Sequence, residues 1–210
     1  MTRSLIVPIV VLGTLAMVGR MGHRIYSLER SLRIQSVTDE LTRTLNRRGF
    51  FTVADNVTKS ALRQGTPLSL CFFDLDGLKR INDTLGHDVG SEVIERFAGL
   101  LKLTFRKSDV IARVGGDEFV VLAMGDSEDA DRLVGRLAEQ VALLNQQTPA
   151  ERHIAYSIGF TAVDVSSDTG LQNAMARADG FMYEEKRRKR RDRSSMAEPA
   201  DRPVRAVHVA

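Results

Sequence analysis

The chain carries one cysteine in 210 residues, and that residue, Cys71, sits inside an apolar run. A lone thiol excludes an intrachain disulfide framework and fits a reducing compartment. Cys71 reads as a small core residue rather than a nucleophile. No Cys/His cluster has zinc spacing. A large excess of one charge is also missing. The formal net charge is +3 and the pI about 9.2. The basic excess is local, because Lys186 to Arg193 (KRRKRRDR) holds much of it. That run reads as a solvated helix end, with a clamp on anionic lipid or nucleic acid as the rival. Hydrophobic residues make up 43%, ordinary for a globular protein, and the length suits one domain plus appendages.

Charge is absent from Leu5 to Gly19 (LIVPIVVLGTLAMVG). A helical span takes about 20 apolar residues, about 17 at the short end. This run is slightly short, and Met21, Gly22 and Ile25 extend it. It is read as a membrane anchor over residues 1–24. A cleaved signal peptide and a buried core helix remain the alternatives. Arg20, Arg24, Arg30 and Arg33 follow the run, so its carboxyl side is expected in the cytoplasm. Ile25, Leu28 and Leu32 then mark a short amphipathic stalk over 25–38, a dimerising element or a plain connector.

The remainder reads as one α+β domain over 39–190. Thr38 and Asp39 are capping candidates. A helix is expected from about Gly49 to Gln64, and Leu68 to Phe73 as a buried strand. Asp83 to Leu85 reads as a turn. Ser91 to Phe105 has the period of an amphipathic helix. Val110 to Val114 and Phe119 to Ala123 read as strands joined by a Gly-Gly turn. Ala130 to Asn145 is a helix, His153 to Val163 a strand pair or one long strand, and Leu171 to Arg190 the last helix. Helices on one face of a mainly antiparallel sheet follow. Residues 191–210 read as a disordered basic tail, with its Ser, Pro and Ala content beginning near Asp192.

Two acidic pieces carry chemistry. Asp74-Leu75-Asp76 closes the buried strand, and Gly115-Gly116-Asp117-Glu118-Phe119 lies between the two later strands. If the strands are neighbours, carboxylates face one another across a small gap, and a cation must neutralise them. Carboxylates in small number suit Mg²⁺ (or Mn²⁺) with a nucleoside triphosphate. Two such ions can activate an attacking hydroxyl and stabilise leaving pyrophosphate. Asp74 and Asp117 are the metal candidates, with the Leu75 carbonyl as a neutral ligand. Glu118 either assists or points to the opposite face, because strand residues alternate. Gly115 and Gly116 are expected to permit positive φ. Lys79, Lys186 and Arg190 are placed to meet phosphates. Alone, each acidic piece is a common turn or strand end. Together, with Lys79 to Asp83 between them, they point to nucleotidyl transfer.

These motifs resemble the GGDEF family of diguanylate cyclases. The resemblance runs from Asp39 to Arg190. It rests on Asp39-Glu40-Leu41-Thr42 with Leu45-Asn46-Arg47-Arg48, then FFDLDGLKRINDTLGHDVG, RVGGDEF, Ser157-Ile158-Gly159, and Tyr183 with Lys186. It implies a palm-like fold, mainly antiparallel with flanking helices, and a homodimer in which two GTP molecules condense to cyclic di-GMP. It implies Asp74, Leu75 and Asp117 at the metal and Asp117 as base, with Glu118 and Lys79 in the catalytic set. It implies Asn82 on guanine and Lys186 and Arg190 on phosphates. It also implies that Arg106 and Asp109, an RxxD just ahead of the signature, take the product back as an inhibitor.

One position departs from the pattern. Ser91 follows Gly90 where the family usually has Asp. A carboxylate only accepts hydrogen bonds and so favours guanine, whereas a hydroxyl donates or accepts. In this the chain resembles the hybrid promiscuous branch, which makes cyclic AMP-GMP. ATP therefore joins GTP as an expected substrate. An inactive cyclic di-GMP receptor acting through Arg106 and Asp109 is the rival. Nucleic acid is not an expected partner. The expected location is the bacterial inner membrane, with a single N-terminal span and a cytoplasmic catalytic domain.

Overall fold

The computed structural model describes residues 37–197, together with Met17, Arg20 and Met21. The chain divides into two compact units, residues 1–37 and 38–210. All but Met17, Arg20 and Met21 of the expected anchor, and nearly all of the expected stalk, lie outside the described residues. Among the described residues no helix is long and apolar enough to cross a membrane.

The second unit is α+β. Strand β1 (Leu45–Asn46) leads into helix α1 (Arg47–Gln64), and β2 (Leu68–Leu75) follows. Helices α2 (Leu78–Leu85) and α3 (His87–Thr104) connect to the hairpin β3 (Val110–Arg113) and β4 (Glu118–Met124). Helix α4 (Ser127–Gln146), a short 3-10 turn, β5 (Tyr156–Ala162) and α5 (Gly170–Ala197) complete it. The sheet order is β1-β3-β4-β2-β5. Only the β1–β3 pair is parallel, so the sheet is mixed and mainly antiparallel.

Local chemistry sets the element ends. Asn46 caps α1, its side chain accepting from the Gly49 N–H at 2.9 Å, and Gly65 at φ 64 closes it in the left-handed region. All eight residues of β2 are buried. The strand lies between β4 and β5 with helices above and below, which is why it reads as a continuous apolar run.

Helices cover both faces of the sheet, not one as the sequence suggested. Phe50 and Ala54 of α1 and Leu171, Ala174, Ala178 and Met182 of α5 pack on Leu70, Phe72, Val120 and Leu122. Ile81, Val93, Phe97, Leu101, Leu137 and Val141 from α2, α3 and α4 pack on Cys71, Phe73, Phe119 and Val121. The central strands are apolar on both faces, so both needed a cover.

Three local expectations change and one is narrowed. Asp83 to Leu85 is the last turn of α2, not a loop. The chain reverses at Gly86 (φ 88), so α3 starts at His87 rather than Ser91. Of the two readings of His153 to Val163, the single strand holds, and it is confined to Tyr156–Ala162, β5. Helix α5 runs on to Ala197, past the expected start of the tail. Arg and Lys fill positions 186–191 of this helix, and both are good helix formers.

Candidate active site

Strand register brings the two acidic pieces together. In the β2–β4 pair Asp74 stands directly opposite Glu118. Directly opposed residues of an antiparallel pair share a face. Glu118 therefore points to the same side as Asp74, on the face covered by α1 and α5. It borders a cavity of about 350 Å³ with Arg47, Phe72, Gln172, Met175 and Asp179. Asp117 lies one residue before β4, in the turn. Its carbonyl accepts the Leu75 N–H at 2.9 Å, which ties the signature turn to the end of β2.

The glycines of that turn do a different job from the one expected. Neither is among the positive-φ residues of the described chain. Gly115 makes room instead. A Cβ there would stand 2.2 Å from Glu118 Oε2, so only a bare backbone lets that carboxylate fold over the turn.

Burial and like charge act on this cluster. Asp74 is buried, and its carboxyl sits above the usual range. Burial is the main cause, opposed by the Lys186 ammonium and reinforced by Asp117 and Asp76. Glu118 is also pushed up, first by burial and then by Asp117, Asp74 and Asp179. Such a cluster attracts a cation. Among the described residues no three His, Cys, Asp or Glu side chains form a ready-made metal cage. The fit to a hard divalent ion thus rests on two carboxylates, a backbone carbonyl and the ligand's own oxygens, which is how Mg²⁺ is commonly held.

Lys186 stands where its charge is needed. From α5 its ammonium pairs with Asp74 Oδ1. A phosphate contact was expected of it, and the structure places it on a metal-candidate carboxylate. Glycine at 159 allows this. A Cβ there would meet the Ala178 carbonyl oxygen at 2.0 Å and the Met182 nitrogen at 2.4 Å, so α5 lies directly on β5. Asp76 is engaged elsewhere, accepting from the buried Ser157 hydroxyl at 2.9 Å. The expected phosphate group Lys79 is exposed in the first turn of α2. Arg190 is exposed near the end of α5. Asn82 and Ser91 are half-buried on either side of the Gly86 reversal.

Arg113 was quoted without a role, and Asp39 was expected to cap a helix; no helix begins there, and Asp39 instead closes a turn and pairs with Arg113. The Arg113 guanidinium donates to the Gly116 carbonyl at 2.7 and 3.2 Å. It also pairs with Asp39 at 3.3 Å. Asp39 in turn accepts from the Thr42 N–H at 2.8 Å and hydroxyl at 2.7 Å. Burial opposes the Asp39 charge, but Thr42 and Arg113 outweigh it and hold the carboxyl below its ordinary value. Asp39 opens the first motif and Arg113 the signature motif, and no local rule pairs them.

Arg106 and Asp109 divide their duties. Asp109 is buried, and its oxygens accept from the Arg106 and Met124 N–H groups at 2.8 and 3.2 Å. It holds the loop between α3 and β3. Arg106 is exposed beside a cavity of about 500 Å³ that Lys102 and Lys107 also line.

A family model described as "Diguanylate cyclase, GGDEF domain" matches residues 36–192. The chain belongs to the GGDEF family. This GGDEF domain is 37% identical over 167 residues to the response regulator PleD of Caulobacter vibrioides, covering 76% of this chain and 36% of PleD. It is 33% identical over 153 residues to the diguanylate cyclase DosC of Escherichia coli K12, covering 72% of this chain and 33% of DosC. The chain thus spans about a third of the length of these curated relatives. Its fold is similar to the crystal structure of the GGDEF domain of DgcB from Caulobacter crescentus in complex with c-di-GMP. That match has a TM-score of 0.65 and 26% identity, over 73% of this chain and 91% of the other.

Proposed function

We propose that this GGDEF domain is a divalent-metal-dependent nucleotidyltransferase that joins two nucleoside triphosphates into a cyclic dinucleotide. The observation that carries the reading is the acidic cluster at the paired ends of β2 and β4, with Asp117 tied to Leu75 and a lysine of α5 held on Asp74. Asp74, Asp117 and the Leu75 carbonyl are the residues to hold the metal. A bound divalent ion supplies neutralisation of triphosphate charge. With a nucleotide bound, the Lys186 ammonium, here paired with Asp74, would meet the terminal phosphates with Lys79 and Arg190. Asp117 takes the proton of a 3′-hydroxyl. The hydroxyl oxygen forms a bond to the α-phosphorus of the opposing nucleotide, the α–β anhydride bond breaks, and pyrophosphate leaves. A second, symmetric step closes the ring. One nucleotide per subunit requires a homodimer.

The product is cyclic di-GMP from GTP, and cyclic AMP-GMP when ATP is also present. Ser91 supports the second product. A site that pairs a base edge with a fixed acceptor discriminates by orders of magnitude, and a hydroxyl removes that pairing. Product analysis by chromatography and mass spectrometry, with GTP, ATP and an equal mixture, tests this. The expected mixture product includes cyclic AMP-GMP, and Ser91→Asp is expected to restore strict GTP use. An unchanged ATP-to-GTP incorporation ratio in Ser91→Asp would remove Ser91 as the switch.

Feedback binding of the product at Arg106 and Asp109 belongs to the same reading. So does attachment to a membrane through residues 1–24, with the domain on the cytoplasmic side. The uncharged run from Leu5 to Gly19 and the arginines after it support that placement.

A further inference from the structure

Asn82 and Gly90 meet across a sharp reversal. Asn82 lies in the last turn of α2 and Gly90 in the first turn of α3, with Gly86 between them at φ 88 and ψ 163. The path is pinned on both sides. The Gly86 N–H donates to the Asn82 carbonyl at 3.0 Å, and the Gly90 N–H donates to the Gly86 carbonyl at 3.4 Å. Gly90 is buried. A Cβ there would lie 1.8 Å from Asn82 Oδ1 and 2.9 Å from its Cγ. Non-bonded carbon atoms settle at about 3.5–4.0 Å. The carboxamide of Asn82 therefore rests on the space that glycine leaves.

The clash would be relieved at one place. The obstructing atoms belong to the end of a side chain with two free torsions, not to backbone. At Gly159 the reverse holds, because there a Cβ would strike the backbone of α5. A methyl at position 90 leaves the fold in place and swings the carboxamide away.

We propose that Gly90 is a positioning residue for nucleotide binding, whose bare Cα seats the Asn82 carboxamide beside the selectivity position Ser91. The proposal rests on the reading of Asn82 as a base contact. It makes Gly90 and Asn82 one functional unit, with Ser91 next along the chain.

The full chain and its Gly90→Ala, Asn82→Ala and doubly substituted forms test it. Calorimetric titration with GTP and Mg²⁺ gives affinity whether or not product forms, and steady-state kinetics give KM and kcat separately. Gly90→Ala is expected to weaken GTP binding and raise KM about tenfold, the cost of one lost hydrogen bond. Its kcat stays within about threefold, because the acidic cluster and the phosphate contacts are untouched. Its Tm is expected to be equal or higher, since alanine is the better helix former. The double form is expected to bind no worse than Asn82→Ala alone, the mark of two residues acting through one group. Additive losses in the double form, or unchanged binding in Gly90→Ala while Asn82→Ala weakens it, would overturn the role of Gly90. Unchanged binding in Asn82→Ala would overturn the base-contact reading itself.

Discussion

Glu118 shows what a half-buried carboxylate costs when it faces others. Its carboxyl is held above the usual value by burial and by Asp117, Asp74 and Asp179. The folded chain therefore binds the Glu118 proton more tightly than the unfolded chain does. Stability falls as pH rises from the unfolded value, about 4.3, through the folded one, and stays lower above it. Glu118→Gln removes that charge in a side chain of the same shape. Its Tm is expected to exceed wild type at pH 8 without divalent ions, and to match it at pH 4. A lower Tm at pH 8 would show that the Glu118 charge stabilises the fold. Asp39 has the opposite sign. Its contribution is complete above the ordinary carboxylate value and is lost as pH falls through the lowered one. At this scale much of the site was legible in the residues themselves. The acidic types, the RxxD motif and Ser91 were visible. The face taken by Glu118 was not, because alternation sets it only once the first residue of β4 is known. Nor was the purpose of Gly115, whose missing side chain serves a residue three positions on.

At the scale of elements, α5 is both a wall of the core and the carrier of Lys186. Gly159 sets how close it lies to the sheet. Gly159→Ala forces a Cβ into the α5 backbone, an overpacking that costs about 1–3 kcal/mol. In a domain of this size that lowers Tm by about 2–4 °C per kcal/mol. Activity is expected to fall further than stability at a temperature where the variant is folded, since Lys186 is lifted with the helix. Thermal denaturation and turnover measured together would separate the two, and full activity in a destabilised Gly159→Ala would uncouple α5 position from the site. Element types were largely readable from period and turn residues. The errors fell at boundaries and layers. Leu78 to Leu85 was missed as a helix because its eight residues are short and follow a glycine. The main helices were read, but their division between two faces was missed because burial on both faces of β2 was not carried through to its consequence.

For the whole molecule, the proposed chemistry needs two subunits and a divalent ion. Below the dimer dissociation constant, product formation is expected to rise with the square of enzyme concentration, and to become linear above it. Chelation of divalent ions should abolish turnover, and Mg²⁺ or Mn²⁺ should restore it. Metal should also raise Tm less in acid than at neutral pH, because Asp74 must lose its proton to serve as a ligand and burial holds its carboxyl above the usual value. Dilution assays and melting curves with and without the ion check both points, and a rate linear in enzyme at all dilutions would remove the dimer requirement.

The sequence by itself determined the motif order, the apolar run of β2, the Gly65 end of α1 and the identities of the acidic residues. These rest on local chemistry, which neighbouring residues encode. It did not determine the N-caps, since Thr38 and Asp39 precede a turn and strand while Asn46 caps α1. Tertiary structure decided which of those groups meet. Asp74 faces Glu118 through strand register, Lys186 reaches Asp74 from α5, and Arg113 links the signature turn to Asp39. Those partners are far apart in the chain, and only packing of the elements in three dimensions brings such charges together.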